Sequence, residues 1–288
     1  MLGCYGQVGW ELQRTLSPLG EVTAIDRDTV DFCAPDDLRR LLRDLKPRLI
    51  VNAAAYTAVD RAETEPEVAE AVNAATPGVL AEEAVALGAA LVHYSTDYVF
   101  DGTKGTPYVE DDPTHPLNVY GSTKLRGEVA ALAPGAPCVV LRTSWVYGTR
   151  GANFLLTMLR LAREREELKV VADQVGSPTW CRSLAEVTAL LLARGGDDPV
   201  GYLRERSGVY HATQGGQTSW HGFTQRILEL DPDRETQKVK RVLPVTTQEF
   251  GSKTDRPLYS VLDSAKLERT FGVRLPDWSK ALELALAR

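Results

Sequence analysis

Three short apolar runs, separated by stretches of helical periodicity, constrain this chain more than anything else in it. They are Arg48-Leu-Ile-Val-Asn52-Ala-Ala-Ala55, Ala90-Leu-Val-His-Tyr-Ser95 and Pro137-Cys-Val-Val-Leu-Arg142. Runs of this length without polar alternation suit strands buried on both faces, as in a parallel sheet. The segments between them read as helices. Asp36 to Leu45 carries Leu38, Leu41, Leu42 and Leu45 and is closed by Pro47; Glu67 to Ala75 and Gly78 to Leu87 follow, with Pro77 as a kink or joint. Strands alternating with helices imply right-handed crossovers and an α/β sheet. Ligands of such sheets sit at the carboxyl ends of strands. Asn52 to Thr57, Ser95 to Asp97 and Arg142 to Trp145 should therefore face one crevice.

The chain opens on Gly3-Cys-Tyr-Gly6-Gln-Val-Gly9, a glycine at every third position. Such a loop turns tightly and lets the backbone approach a pyrophosphate, which rests on the N-terminus of the next helix. Val8, Leu12, Leu16 and Leu19 mark that helix and Gly20 stops it. Val22-Thr-Ala-Ile25 reads as the next strand, ending on Asp26, where an acid can hold a dinucleotide's ribose hydroxyls. The neighbouring Arg27 could instead meet a 2′-phosphate, so NAD and NADP stay open. Together these elements indicate a Rossmann-type, doubly wound parallel sheet with a nucleotide cofactor. Only Met1 and Leu2 precede Gly3, fewer than the ~5–6 residues of an ordinary strand. The expectation is a start lying downstream of the natural one, with an unusually short first strand as the alternative. An apolar run in frame upstream in the gene would support the first.

Asn118-Val-Tyr-Gly-Ser-Thr-Lys124 places Tyr120 and Lys124 one helical turn apart, on the same face. A free Tyr ionises near pH ~10. A fixed cation beside it is expected to favour the phenolate and let the phenol trade a proton with an alcohol or ketone. Ser95 and Thr96, at the end of a strand, offer a hydroxyl to a substrate carbonyl.

The net charge of −6 argues against non-specific nucleic-acid binding. No run approaches the ~20 apolar residues of a membrane span, and no leader resembles a signal peptide. Cys4, Cys33, Cys138 and Cys181 lie far apart and read as reduced thiols of a cytoplasmic protein. His93, His115, His211 and His221 form no ligand pattern, so no structural metal is expected. Residues 1–150 read as the dinucleotide-binding domain, with 181–196 and about 208–213 returning to it; 151–288 mainly form a smaller substrate-binding lobe. In that second half, helices are expected over 153–165, 183–193 and 219–230, and a strand at 168–173.

The glycine loop, the strand-end hydroxyls, Tyr120 and Lys124 resemble the short-chain dehydrogenase/reductase superfamily. Within it, Val51-Asn-Ala-Ala-Ala-Tyr-Thr-Ala-Val-Asp60, His93-Tyr-Ser-Thr-Asp-Tyr-Val-Phe100, Pro116-Leu-Asn-Val-Tyr-Gly-Ser-Thr-Lys124 and Leu141-Arg-Thr-Ser-Trp-Val-Tyr147 are similar to the dTDP-4-dehydrorhamnose reductases. So are Asp173-Gln-Val-Gly-Ser-Pro-Thr179 and Arg256-Pro-Leu-Tyr-Ser-Val-Leu-Asp263. The short first strand and the Cys4-Tyr5 pair depart from that pattern. The resemblance implies reduction of the 4-keto group of a dTDP-6-deoxy-hexulose by NADPH or NADH. It implies Tyr120 as acid, Lys124 as its partner and Thr96 as carbonyl anchor. The cofactor would meet Gly3, Gly6, Gln7, Val8, Gly9, Asp26, Arg27, Asp31, Phe32, Ala53, Ala54, Ala55, Tyr56, Thr57, Tyr94, Tyr120 and Lys124. Thr96, Asp97, Trp145 and Arg256 would touch the sugar nucleotide. A homodimer, with Mg²⁺ bound between subunits through Glu11, is a further implication. Two rivals carry other chemistry. A nucleotide-sugar dehydratase would need a second acid where Tyr98 follows Thr96-Asp97, and an epimerase would show no net cofactor use. A binding subunit like the regulatory subunit of methionine adenosyltransferase would need no catalytic pair.

Overall fold

The computed structural model describes residues 1–287. Its central sheet is parallel, in the order Leu49–Asn52, Ala90–Thr96, Cys138–Thr143, Gly208–His211. Beyond Leu49–Asn52 the sheet continues as single bridges: Leu2 pairs in parallel with both Asn52 and Ile25. The Leu2 amide donates to the Val51 carbonyl and the Ile25 amide to the Met1 carbonyl, each at 2.9 Å. Leu2 is 1% exposed and occupies the central place of a first strand. The expected strand at 22–25 is reduced to a single bridge at Ile25. From Leu2 the chain goes to Ile25 on one side and later to Leu49–Asn52 on the other. The strand order therefore reverses at Leu2, the switch point where a doubly wound sheet opens a crevice.

Helices cover both faces. On one, Leu12 and Leu16 of the Gln7–Leu16 helix share a core with Leu184, Leu191 and Leu192 of the Cys181–Ala193 helix. On the other, Leu38, Leu42, Leu80 and Ala84 pack over Ile50, Leu91 and Val140. A separate apolar cluster joins Leu155, Met158, Val170, Phe223, Ile227 and Leu282. That cluster lies over a parallel pair of strands, Glu167–Val171 and Arg241–Val245. Pro77 does not break the helix it was expected to joint. Pro66–Glu70, a π-helical turn Ala71–Ala75 and Thr76–Leu87 follow one another directly, and the local irregularity is the π turn. Within that turn Asn73 reaches out to the Tyr56 amide (2.8 Å) and carbonyl (3.0 Å), pinning the loop after the Leu49–Asn52 strand.

Candidate active site

Tyr120 and Lys124 lie on the Val119–Leu132 helix, whose Asn118 N-cap accepts from the Gly121 amide at 2.8 Å. The helix lies very close to its neighbours. A Cβ on Gly121 would stand 2.2 Å from the Tyr98 carbonyl oxygen, and one on Gly127 2.0 Å from that of Asn73. Glycine at these two positions is what lets the helix approach the strand ends. Tyr120 and Lys124 then line a cavity of about 420 Å³ with Gly6, Gln7, Val8, Ala53, Ala55, Thr57 and Tyr94. All three strand ends expected to face one crevice contribute to it, through Ala53, Ser95 and Thr143.

The glycine loop closes the other end of the cavity. Gly6 caps the Gln7–Leu16 helix in extended conformation, and no side chain takes the first-turn N–H groups. Those groups are the donors that an anionic pyrophosphate satisfies. A Cβ on Gly9 would lie 1.9 Å from the Gly3 carbonyl oxygen, so loop and helix are in direct backbone contact. The chain thus has the glycine cradle and the free first-turn donors that a dinucleotide's pyrophosphate requires.

The other expected cofactor residues are more dispersed. Asp26 is buried, and its carboxylate accepts from the Tyr5 amide (2.8 Å) and the Arg27 amide (2.9 Å). Arg27 is exposed beside it. Asp31 caps its own turn at the Cys33 amide (2.8 Å), and Phe32 packs at the edge of the core while its carbonyl accepts from Thr76. Ala54 points into the core, and the Tyr56 hydroxyl donates to Glu65. Several lining groups had no signal in the sequence. Arg150 lies 3.6 Å over the Trp10 ring, and both line the cavity next to Gly6.

The titration of the Tyr120–Lys124 pair differs from the expectation. Burial pushes the Tyr120 phenol up to about 12, with Thr96 working to lower it and Asp97 to raise it. Burial also brings Lys124 down to about 8, against a raising pull from Glu128. Lys124 Nζ donates to the Tyr94 carbonyl at 2.6 Å and is not among the groups that shift the phenol. Removal from water therefore outweighs the charge of the neighbour.

Thr96 donates to Asp97 Oδ1 at 3.1 Å and accepts from the Tyr98 amide at 3.2 Å. Asp97 is buried, and burial raises its carboxyl to about 7 against lowering contacts from Ser260 and Thr96. A folded-state value above the unfolded one means that the native state holds a proton which the unfolded chain releases. This contribution to stability is full below pH 3.8 and is lost as pH rises towards about 7. Asp97→Asn removes the titration. Wild type should lose on the order of a few kcal/mol relative to this variant between those limits. Denaturant melts of both proteins across that range test this, and parallel stability curves would exclude it.

Trp145 adopts φ +46°, uncommon for a bulky residue. Its ring stacks on Trp220 at 3.6 Å, 5° from parallel, and a Cβ on Gly176 would stand 2.5 Å from it. Trp220 leads into a second cavity of about 590 Å³, lined also by Phe154, Met158, Lys169, Gln174 and Arg256. Arg256 pairs there with Asp60 at 3.0 Å and keeps a buried, unpartnered Nε. Glu11 is not an exposed lone carboxylate. It is 5% exposed, bound by Arg14 and, at 3.2 Å, by Arg182. Two guanidinium groups already satisfy it, and among the described residues no cluster of three or more acidic, His or Cys side chains could hold a metal.

A glycine loop at the switch point of a doubly wound sheet, with a Tyr–Lys pair at the adjoining strand ends, defines a Rossmann-type oxidoreductase. The profile of the RmlD substrate binding domain family matches residues 1–288, and the chain belongs to that family. It is 49% identical over 293 residues to a dTDP-4-dehydrorhamnose reductase of Burkholderia thailandensis, covering 99% of this chain and 96% of the relative. The Escherichia coli K12 protein of the same name is 41% identical, with the same coverage of both chains. A crystal structure of the Bacillus anthracis dTDP-4-dehydrorhamnose reductase in complex with NADP superposes with a TM-score of 0.89 at 35% identity. It covers 99% of this chain and 96% of that one.

Proposed function

We propose that the chain reduces the 4-keto group of dTDP-4-dehydro-6-deoxy-L-mannose to give dTDP-L-rhamnose. The observation that carries this reading is Tyr120 and Lys124 lining one cavity with the glycine cradle, with Thr96 against the phenol. A reduced nicotinamide bound there supplies the hydride. Tyr120 gives its proton to the carbonyl oxygen, Thr96 anchors that oxygen, and Lys124 holds the site polar behind the phenol. Gly3, Gly6, Gln7, Val8 and Gly9 serve the pyrophosphate. Asp26 and Arg27 face the adenosine ribose, with Asp31, Phe32 and Ala53 to Thr57 along the cofactor's path. Residues 151–288 act mainly as the substrate lobe. At its border the Trp145–Trp220 stack offers a flat wall to the deoxysugar, and Arg256 offers a bidentate guanidinium to the diphosphate. The reading takes the enzyme as cytoplasmic and homodimeric. It leaves NADPH and NADH both open, since Asp26 is buried under two amides while Arg27 is exposed.

The test is loss of nicotinamide absorbance with the 4-keto sugar nucleotide made in situ, run with NADPH and NADH separately. Stoichiometric oxidation with dTDP-L-rhamnose as product is the expected result. Cofactor binding by a folded protein without oxidation would overturn the reading and favour a binding role.

A further inference from the structure

His93 is fully buried in the middle of the Ala90–Thr96 strand, and the reaction as described does not use it. Burial, and then Lys124, hold its imidazole well below its ordinary value, so the ring is neutral and carries one proton. The location of that proton follows from the neighbours. Asn52 Oδ1 accepts from the Ala54 amide at 3.1 Å. The Asn52 amide nitrogen therefore faces the ring, 3.1 Å from Nδ1, and it can only donate. Nδ1 must then be the bare acceptor, and the proton sits on Nε2. Nε2 in turn stands 3.4 Å from Lys124 Nζ, which donates to the Tyr94 carbonyl at 2.6 Å.

This network holds one proton too many when Lys124 is charged. An ammonium has no lone pair to receive the Nε2–H, whereas a neutral amine has one. Turning the Asn52 amide over only moves the conflict, because its NH₂ would then face the Ala54 N–H. The other charged or titratable groups near the pair are few. Glu128, one turn along the same helix, raises Lys124, but its carboxylate is shared with Arg142 and Ser95. Tyr120 lies one turn before Lys124. Asp97 acts on Tyr120. On the adjacent strand the register partner of His93 is the uncharged Val140.

We propose that His93 is a positioning residue for Lys124: Asn52 fixes it as the Nε2–H tautomer, and the Nε2–H favours the neutral amine at Nζ. Lys124 can then gain and lose a proton close to neutral pH, as its depressed value of about 8 also indicates. Only the consequence for turnover rests on the reductase reading.

Two measurements on the full chain test the assignment, and neither needs activity. Ring-nitrogen NMR of ¹⁵N-histidine protein should show His93 with Nδ1 bare and Nε2 protonated; His93→Gln assigns the signal. Side-chain ¹⁵N NMR should follow Lys124 through its titration in wild type and in His93→Gln, whose amide oxygen offers the ammonium an acceptor. The midpoint is expected to move up by about one pH unit, equivalent to one hydrogen bond of ~1.4 kcal/mol. The corresponding limb of the rate–pH profile should move with it. An Nδ1–H tautomer in wild type would overturn the proposal even if the variant failed to fold. So would an unmoved Lys124 midpoint in a folded His93→Gln protein, whatever its turnover.

Discussion

Tyr120→Phe is expected to lower kcat by ~10²–10⁴-fold, the usual worth of a positioned acid, while leaving cofactor binding nearly intact. The phenol is the group of the pair that stands against Thr96, and burial holds its proton on oxygen up to about pH 12. It is therefore present as an acid throughout the neutral range, which a carbonyl reduction needs. The ring itself packs edge-on against Tyr98, with centroids 5.7 Å apart, and a Phe keeps that contact. Loss of the hydroxyl alone should thus spare stability. Steady-state kinetics in the nicotinamide assay, with Kd for the cofactor by fluorescence, separate the two effects. Turnover within tenfold of wild type would remove Tyr120 from the acid role.

The Tyr120–Lys124 pair was legible because helical periodicity alone puts positions i and i+4 on one face, and three apolar runs alone imply the parallel sheet. What the pair does to its own titration was not legible. That depends on burial and on where Nζ points, and the Tyr94 carbonyl that claims it belongs to another element. The same limit hid the Trp145–Trp220 stack. Both tryptophans stand at element ends in the sequence, but a positive φ at Trp145 and a glycine at 176 beneath its ring are properties of the assembled loop. His93 looked inert because no second ligand accompanied it. Its partners, Asn52 and Lys124, come from a neighbouring strand and a helix. The strand expected at 22–25 is reduced to Ile25, whose bridge among the described residues is to Leu2, a pairing between distant segments that periodicity does not report.

Glu128→Ala should produce the largest loss of stability, about 3–5 kcal/mol. Glu128 is 2% exposed, and its two oxygens accept from Arg142 Nε (2.9 Å), Arg142 Nη2 (2.7 Å) and Ser95 Oγ (2.5 Å). Arg142 is itself buried, with its guanidinium 5.1 Å over the Phe100 ring, and cannot reach water when its partner is removed. The cost is that of a charge left unpaired in the interior, together with a cavity where the side chain was. At about 2–3 °C per kcal/mol for a chain of this size, Tm should fall by roughly 6–15 °C. Replacing both partners, Glu128→Leu with Arg142→Met, should recover most of the loss, since an apolar pair leaves nothing uncompensated. Thermal and denaturant melts of the two variants decide it. A Glu128→Ala protein within ~1 kcal/mol of wild type would show that Arg142 finds another partner. The position of the pair connects this stability to the site. Glu128 follows Lys124 by one turn, Ser95 precedes Thr96, and Arg142 precedes Thr143 at the end of the next strand. One buried carboxylate therefore fastens the helix carrying Tyr120 and Lys124 to the two strand ends that it faces. The double variant, stable but lacking those directional bonds, should retain its fold and still lose kcat. That separation would show the pair to be kept for alignment, because an apolar replacement supplies stability without fixing where the phenol points.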